Sequence, residues 1–166
     1  MVVGKPFADS RYASLLINDQ PLDFVNEYKY LGGDLCAGKT LSFSPLATIR
    51  SFHRAANSIL YSRVKPSQEV LLKLLYANCV PIITYASAVR EFSAADMYRC
   101  HVAVNNAIRK IVSFRVWQSI RHVRTSYGYK SIYEIFSSAK AKFSADATSS
   151  SNSIIRHLSN LPDDLA

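Results

Sequence analysis

The chain has 166 residues, 49% hydrophobic and 19% charged. That is enough apolar material for one packed domain and too little charge for a wholly disordered chain. The net charge of +8 is uneven: residues 50–130 hold 13 Lys or Arg against 3 Asp or Glu, while residues 1–49 hold 4 against 5 and residues 131–166 hold 3 against 4. The excess therefore lies in the centre, which points to a polyanionic partner, nucleic acid above all, with an ordinary solvated basic surface as the alternative. Three cysteines, Cys36, Cys79 and Cys100, offer neither an even count nor a C-x-x-C pair, so a disulfide framework or zinc site is not expected. Buried, reduced thiols in an intracellular protein are.

In chain order, "MVVGKPFADSRY" lacks the apolar run of a signal peptide. Ser14–Ile17 reads as a strand, Asn18-Asp19-Gln20-Pro21 as a turn, and Leu22, Phe24, Tyr28 and Tyr30 alternate with Asp23, Glu27 and Lys29 as a half-buried second strand. Gly32-Gly33 ends that strand, and "CAGKTLSFS" reads as a loop. Ser44-Pro45 starts a helix with Leu46, Ile49, Phe52, Ala56, Ile59 and Leu60 on its apolar face and Arg50 and Arg54 on the other. Ser67 caps a second helix, with Val70, Leu71, Leu74, Leu75 and Cys79 inward and a bend at Pro81. The apolar stretch Leu71–Val89 carries Lys73, Asn78 and Pro81, so it reads as a buried, kinked helix and no membrane span. Ser93 opens a third helix that runs to Val112 and ends on Arg109-Lys110. "VWQSIRHVRTSYG" reads as a fourth helix closed by Gly128, with Trp117 in the core. Ser131 and Glu134 form the capping box of a fifth. Ala145–Ser153 reads as a polar linker before a weak helix, Ile154–Leu158. The expected fold is mainly α: a bundle of about five helices behind a short β-hairpin. Residues 1–43 form the hairpin and loop, 44–144 the helical domain, and 145–166 the linker and last helix.

Chemistry finds little support. Asp9 in "FADS" stands alone, whereas two-metal catalysis needs paired carboxylates. The four histidines fall on separate elements, and Gly32-Gly33 lacks the Gly-Lys-Ser/Thr of a phosphate-binding loop. No cofactor or metal is expected. The basic positions carry more: Arg50 and Arg54 share a helix face, Arg109 and Lys110 end a helix, and Arg121 and Arg124 lie one turn apart, followed by Tyr127, Tyr129 and Lys130. Such spacings suit successive phosphates, with aromatic rings available to stack on bases or sugars.

One resemblance joins these pieces. "YKYLGGDL", followed in order by "FHRAANSI", "LLKLLYANCVPIITYAS", "AVNNAIRKI" and "SIRHVRTSYGYKSIYEIF", resembles the region after the catalytic palm of LINE-type (non-LTR) retrotransposon reverse transcriptases, an RNA-directed DNA polymerase family, over residues 12–143. The resemblance implies that Tyr30, Leu31 and Gly32 lie on a palm edge near the primer end. It implies that the helices after them form a thumb and linker that cradle the template–primer duplex. The family's Ala-Asp-Asp strand precedes its Tyr-Leu-Gly by far more than the 23 residues between Phe7 and Tyr30, so the chain is expected to lack polymerase activity alone. The implied role is sequence-independent binding of an RNA–DNA or DNA duplex through Arg50, Arg54, Arg109, Lys110, Arg121 and Arg124. Two alternatives stand beside it: a helical protein-interaction module or remnant without a ligand, and a polymerase part completed by a separate palm-containing chain.

Overall fold

The computed structural model describes residues 16–22, 25–30, 33–36, 42–63, 66–90 and 92–159. Strands come first. β1 (Leu16–Ile17) and β2 (Gln20–Pro21) pair antiparallel around Asn18 and Asp19. Both turn residues take positive φ, 50° and 61°, the left-handed pair that a type I′ hairpin demands and that Asn and Asp tolerate best after Gly. β3 (Glu27–Tyr30), β4 (Gly33–Cys36) and β5 (Ser42–Ser44) form an antiparallel meander, with Tyr30 opposite Gly33 and Leu35 opposite Phe43. Two expectations are corrected here. Gly33 opens a strand instead of closing one, and the segment read as a loop contributes the end of β4 and all of β5. The second strand is also not half-buried: every residue of β3 is exposed, Tyr28 and Tyr30 both at 58%, because no described element covers either face.

Helices come next. α1 (Leu46–Leu60) starts behind Pro45, whose carbonyl accepts the Ile49 N–H at 2.8 Å, while Ser44 Oγ accepts the Leu46 N–H at 3.4 Å. α2 (Gln68–Leu74) is capped by Ser67, whose Oγ accepts the Val70 N–H. It runs through a π-helical turn, Leu75–Cys79, into α3 (Val80–Thr84). Pro81 explains the turn. It has no N–H, and its ring would crowd the carbonyl four residues back in a regular helix. The Val80 N–H reaches instead to the Leu75 carbonyl, five residues away. The wider turn rotates α2 relative to α3. Leu72, Leu75, Cys79, Val80 and Ile83 are the buried residues, and Val70, expected inward, lies on the far side of α2 from Leu72 and is 43% exposed.

α4 (Ala94–Ile111) is the centre of the bundle, packed against α1, α2 and α6. It begins at Ser93, whose Oγ accepts the Asp96 N–H at 3.1 Å and donates to Asp96 Oδ2 at 2.7 Å. Its apolar side, including Cys100, Val104 and Ile108, joins Phe52 of α1 and Leu72 of α2 in a single core. α5 (Arg121–Ser126) is shorter than expected. Val116 and Trp117 precede it in a loop, and Ile120 takes the core position in their place. Gly128 comes after it at φ 68°, and the Tyr129 N–H returns to the Arg124 carbonyl at 2.9 Å; a left-handed residue here favours Gly. α6 (Ile132–Thr148) opens with the full Ser131–Glu134 capping box. It extends four residues into the expected linker, since Ala145 and Ala147 favour helix and Thr148 Oγ1 bonds back to the Ser144 and Ala145 carbonyls. α7 (Ser153–Ser159) packs on it. The architecture is mainly helical behind small antiparallel strands, as expected. Among the described residues no helix is long and apolar enough to cross a membrane, and Cys36, Cys79 and Cys100 are free thiols.

Candidate nucleic-acid interface

The charged centre is organised by one face of α4. His101, Asn105 and Arg109 recur every four residues and so line one stripe of the helix. Each meets something outside it. Asn105, buried, donates from Nδ2 to His101 Nε2 at 2.8 Å and accepts at Oδ1 from Arg124 of α5 at 3.5 Å. This chain of bonds assigns the histidine tautomer: with Nε2 accepting, the proton rests on Nδ1, which is buried without a partner among the described residues. The His101 ring lies on Tyr133 of α6 at 4.7 Å between centroids. Burial, then the Arg124 and Arg109 charges, hold its pKa below the ordinary value, so it stands neutral. Arg109 is committed as well. Its Nε donates to the Gln118 carbonyl at 3.1 Å and its Nη1 to Asn106 Oδ1 at 3.0 Å.

Beside this seam runs an aromatic stack. Tyr76 of the π turn lies flat on Tyr129, centroids 4.0 Å apart and planes 5° apart, and Tyr127 continues the series 6.3 Å beyond. The Tyr76 hydroxyl donates to the Lys130 carbonyl at 3.2 Å. Burial pushes its pKa up to about 12, the nearby Arg124 charge opposing. Tyr76 is therefore the anchored end of the stack and Tyr127 the exposed end.

The six expected contacts do not form one uniform set. Arg109 and Arg124 are half-buried and tie the loop and α5 to α4. Lys110 and Arg121 are exposed at the same junction, and no hydrogen bond or ion pair to a described residue engages their side chains. Arg50 and Arg54 are exposed on α1, and no contact among the described residues joins them to the other four. Of the expected primer-region motif, Tyr30 is exposed at the end of β3, while Leu31 and Gly32 lie outside the described residues, as does Asp9. Three other cations are spoken for: Lys73 pairs with Glu69, Arg99 with Asp96, and Arg90 is buried over the Phe43 and Tyr85 rings.

Two features escaped the reading by motif. Trp117, expected in the core, is 76% exposed, and Val116 beside it 75%. Arg115, absent from the sequence expectations, is an exposed cation in the same region as Lys130, which they include. The signal for Arg115 was in plain view: between Asp96 and Glu134 no acidic residue occurs, while seven Lys or Arg do. Among the described residues no group of three His, Cys, Asp or Glu is placed to hold a metal ion. What the arrangement offers chemically is a set of fixed positive charges and flat rings. No family model matches the chain, and comparisons with curated proteins and with solved structures give no match.

Proposed function

We propose that the chain binds nucleic acid through its phosphate backbone at the α4–α5 junction, as a thumb-like module of the kind its resemblance to LINE-type reverse transcriptases implies. The observation that carries this reading is the acid-free run from Met97 to Tyr133. Within it Lys110, Arg115, Arg121 and Lys130 are exposed. Phosphates are the partner class that rewards unopposed cations, because each neutralised phosphate releases condensed counterions. Arg109 and Arg124, held by their own hydrogen bonds, position the elements and add to the local potential. Tyr127, at the open end of its stack, offers a face to sugar or base. Nothing in this set reads base edges, so the binding is sequence-independent.

The test is anisotropy with a labelled RNA–DNA hybrid at two salt concentrations. With four cations engaged, affinity falls on the order of a hundredfold between 50 and 200 mM salt. No binding at low salt contradicts the proposal and leaves the face as solvated surface.

A further inference from the structure

The loop between α4 and α5 carries the most exposed aromatic ring of the acid-free run from Met97 to Tyr133. Trp117, with 76% of its surface exposed, is the chain's single tryptophan. The loop beneath it is stitched in place. The Phe114 N–H donates to the Arg109 carbonyl at 2.9 Å, the Arg115 N–H to Gln118 Oε1 at 2.6 Å, the Gln118 N–H to the Arg115 carbonyl at 3.0 Å, and Arg109 Nε to the Gln118 carbonyl. Ser113 at the loop's start is held at φ 57°, a conformation that costs a non-glycine residue energy. A fixed loop that displays Val116 and Trp117 side by side among unopposed cations offers a preformed stacking surface.

Charge names the partner. Arg115 Cζ lies 5.4 Å from the Trp117 ring centroid, and Lys110 and Arg121 flank the loop in sequence. An indole with a guanidinium beside it, among cations and without acids, matches a base next to its phosphates. In a duplex the π-faces of interior bases are occupied by their neighbours. An indole therefore stacks on an end or on a base without a pairing partner, and only the unpaired base has phosphates on both sides for the flanking cations to hold. We infer that Trp117 stacks on an unpaired base where a duplex meets a single strand, the neighbouring cations holding the flanking phosphates. The inference rests on the proposed phosphate-binding face and adds to it a residue, Trp117, that tells a duplex with a single-stranded extension from a blunt one. Two exposed apolar side chains are a small anchor for a lipid surface, which needs a longer apolar face or a second signal.

The single tryptophan makes the test direct. Its fluorescence is titrated with a short RNA–DNA hybrid bearing a single-stranded overhang, with the blunt hybrid of equal duplex length, and with anionic phosphatidylserine vesicles. Anisotropy of the labelled hybrids is followed in parallel for wild type, Trp117→Leu and Trp117→Phe. The expected result is strong quenching by the overhang hybrid and weak quenching by the blunt one. Trp117→Leu should lose about tenfold in affinity for the overhang hybrid and little for the blunt, and Trp117→Phe should keep most of the preference. The exposed position allows all three proteins to fold, which circular dichroism checks. Equal, tight binding of both hybrids without quenching, unchanged in Trp117→Leu, overturns the inference and leaves the phosphate-binding face standing. Failure to bind either hybrid overturns both. A blue shift with vesicles and no response to either hybrid overturns both in favour of a lipid surface.

Discussion

The phase of the second helix gives the sharpest test of the packing. Val70 and Leu72 are two residues apart on α2 and cannot both face the core. Leu72 is fully buried and Val70 43% exposed. Leu72→Ala removes three carbons at about 0.8 kcal/mol per methylene, or about 2.4 kcal/mol of transfer free energy. A residual cavity of roughly 50–100 Å³ adds about 1–2 kcal/mol at 24 cal/mol per Å³. The total of about 3.4–4.4 kcal/mol is a large part of the 5–15 kcal/mol typical of a domain. Val70→Ala removes two largely solvated carbons and should stay within roughly 0.5 kcal/mol, as at other exposed sites. Urea unfolding followed by far-UV circular dichroism reads the difference. With a slope of about 2 kcal/mol per molar, the midpoint of Leu72→Ala should drop by about 1.7–2.2 M and that of Val70→Ala by less than about 0.3 M. The opposite order would refute this assignment of the buried face of α2. Equal, small shifts would show that α2 does not pack in the core.

Two further outcomes rest on local structure. His101 has a depressed folded pKa against an ordinary unfolded value near 6.5, so the unfolded chain takes up the proton first. The contribution to stability is present above about pH 6.5 and is lost as pH falls through the folded pKa. Thermal unfolding between pH 7.5 and 5 should show this decline, and His101→Gln should flatten it. A decline identical in the variant would remove His101 as its source. At Gly128 an added Cβ would meet no atom within 4 Å, yet φ is +68°; the cost of Gly128→Ala is therefore backbone strain alone, about 1–2 kcal/mol. Gly128→Asn should cost less, and equal melting temperatures for both variants and wild type would contradict the left-handed cap.

What was legible in the sequence was local. Ser67, Ser93 and Ser131 announce helix starts because a cap is written in residues three apart, and all three accept the expected N–H. Asn18-Asp19 announces a turn for the same reason. What depends on distant partners was not legible. β4 and β5 carry polar residues and Gly33, without an alternating pattern, and become strands only through pairing with each other and with β3. Trp117 looks like core by composition, but Ile120 holds that place and the loop hydrogen bonds turn the indole outward. Val70, Leu71 and Leu72 are consecutive apolar residues, so the sequence leaves the facing side of α2 open, and it is Leu72 that the core takes. The candidate site was legible as summed charge. Which cations are free and which are structural emerged only from the bonds of Arg109 and Arg124.

The proposed function requires the exposed cations of the α4–α5 junction to neutralise phosphates. Its most direct measurement is the salt dependence of binding to a short RNA–DNA hybrid for wild type and for the Lys110→Gln, Arg121→Gln double variant. Four engaged cations give a slope of log affinity against log salt of about −3.6, and the double variant should lose about half of it, since each duplex contact contributes roughly −0.9. Both residues are exposed outside the core, so the variant should melt at the wild-type temperature. An unchanged slope in a folded double variant would contradict the claim.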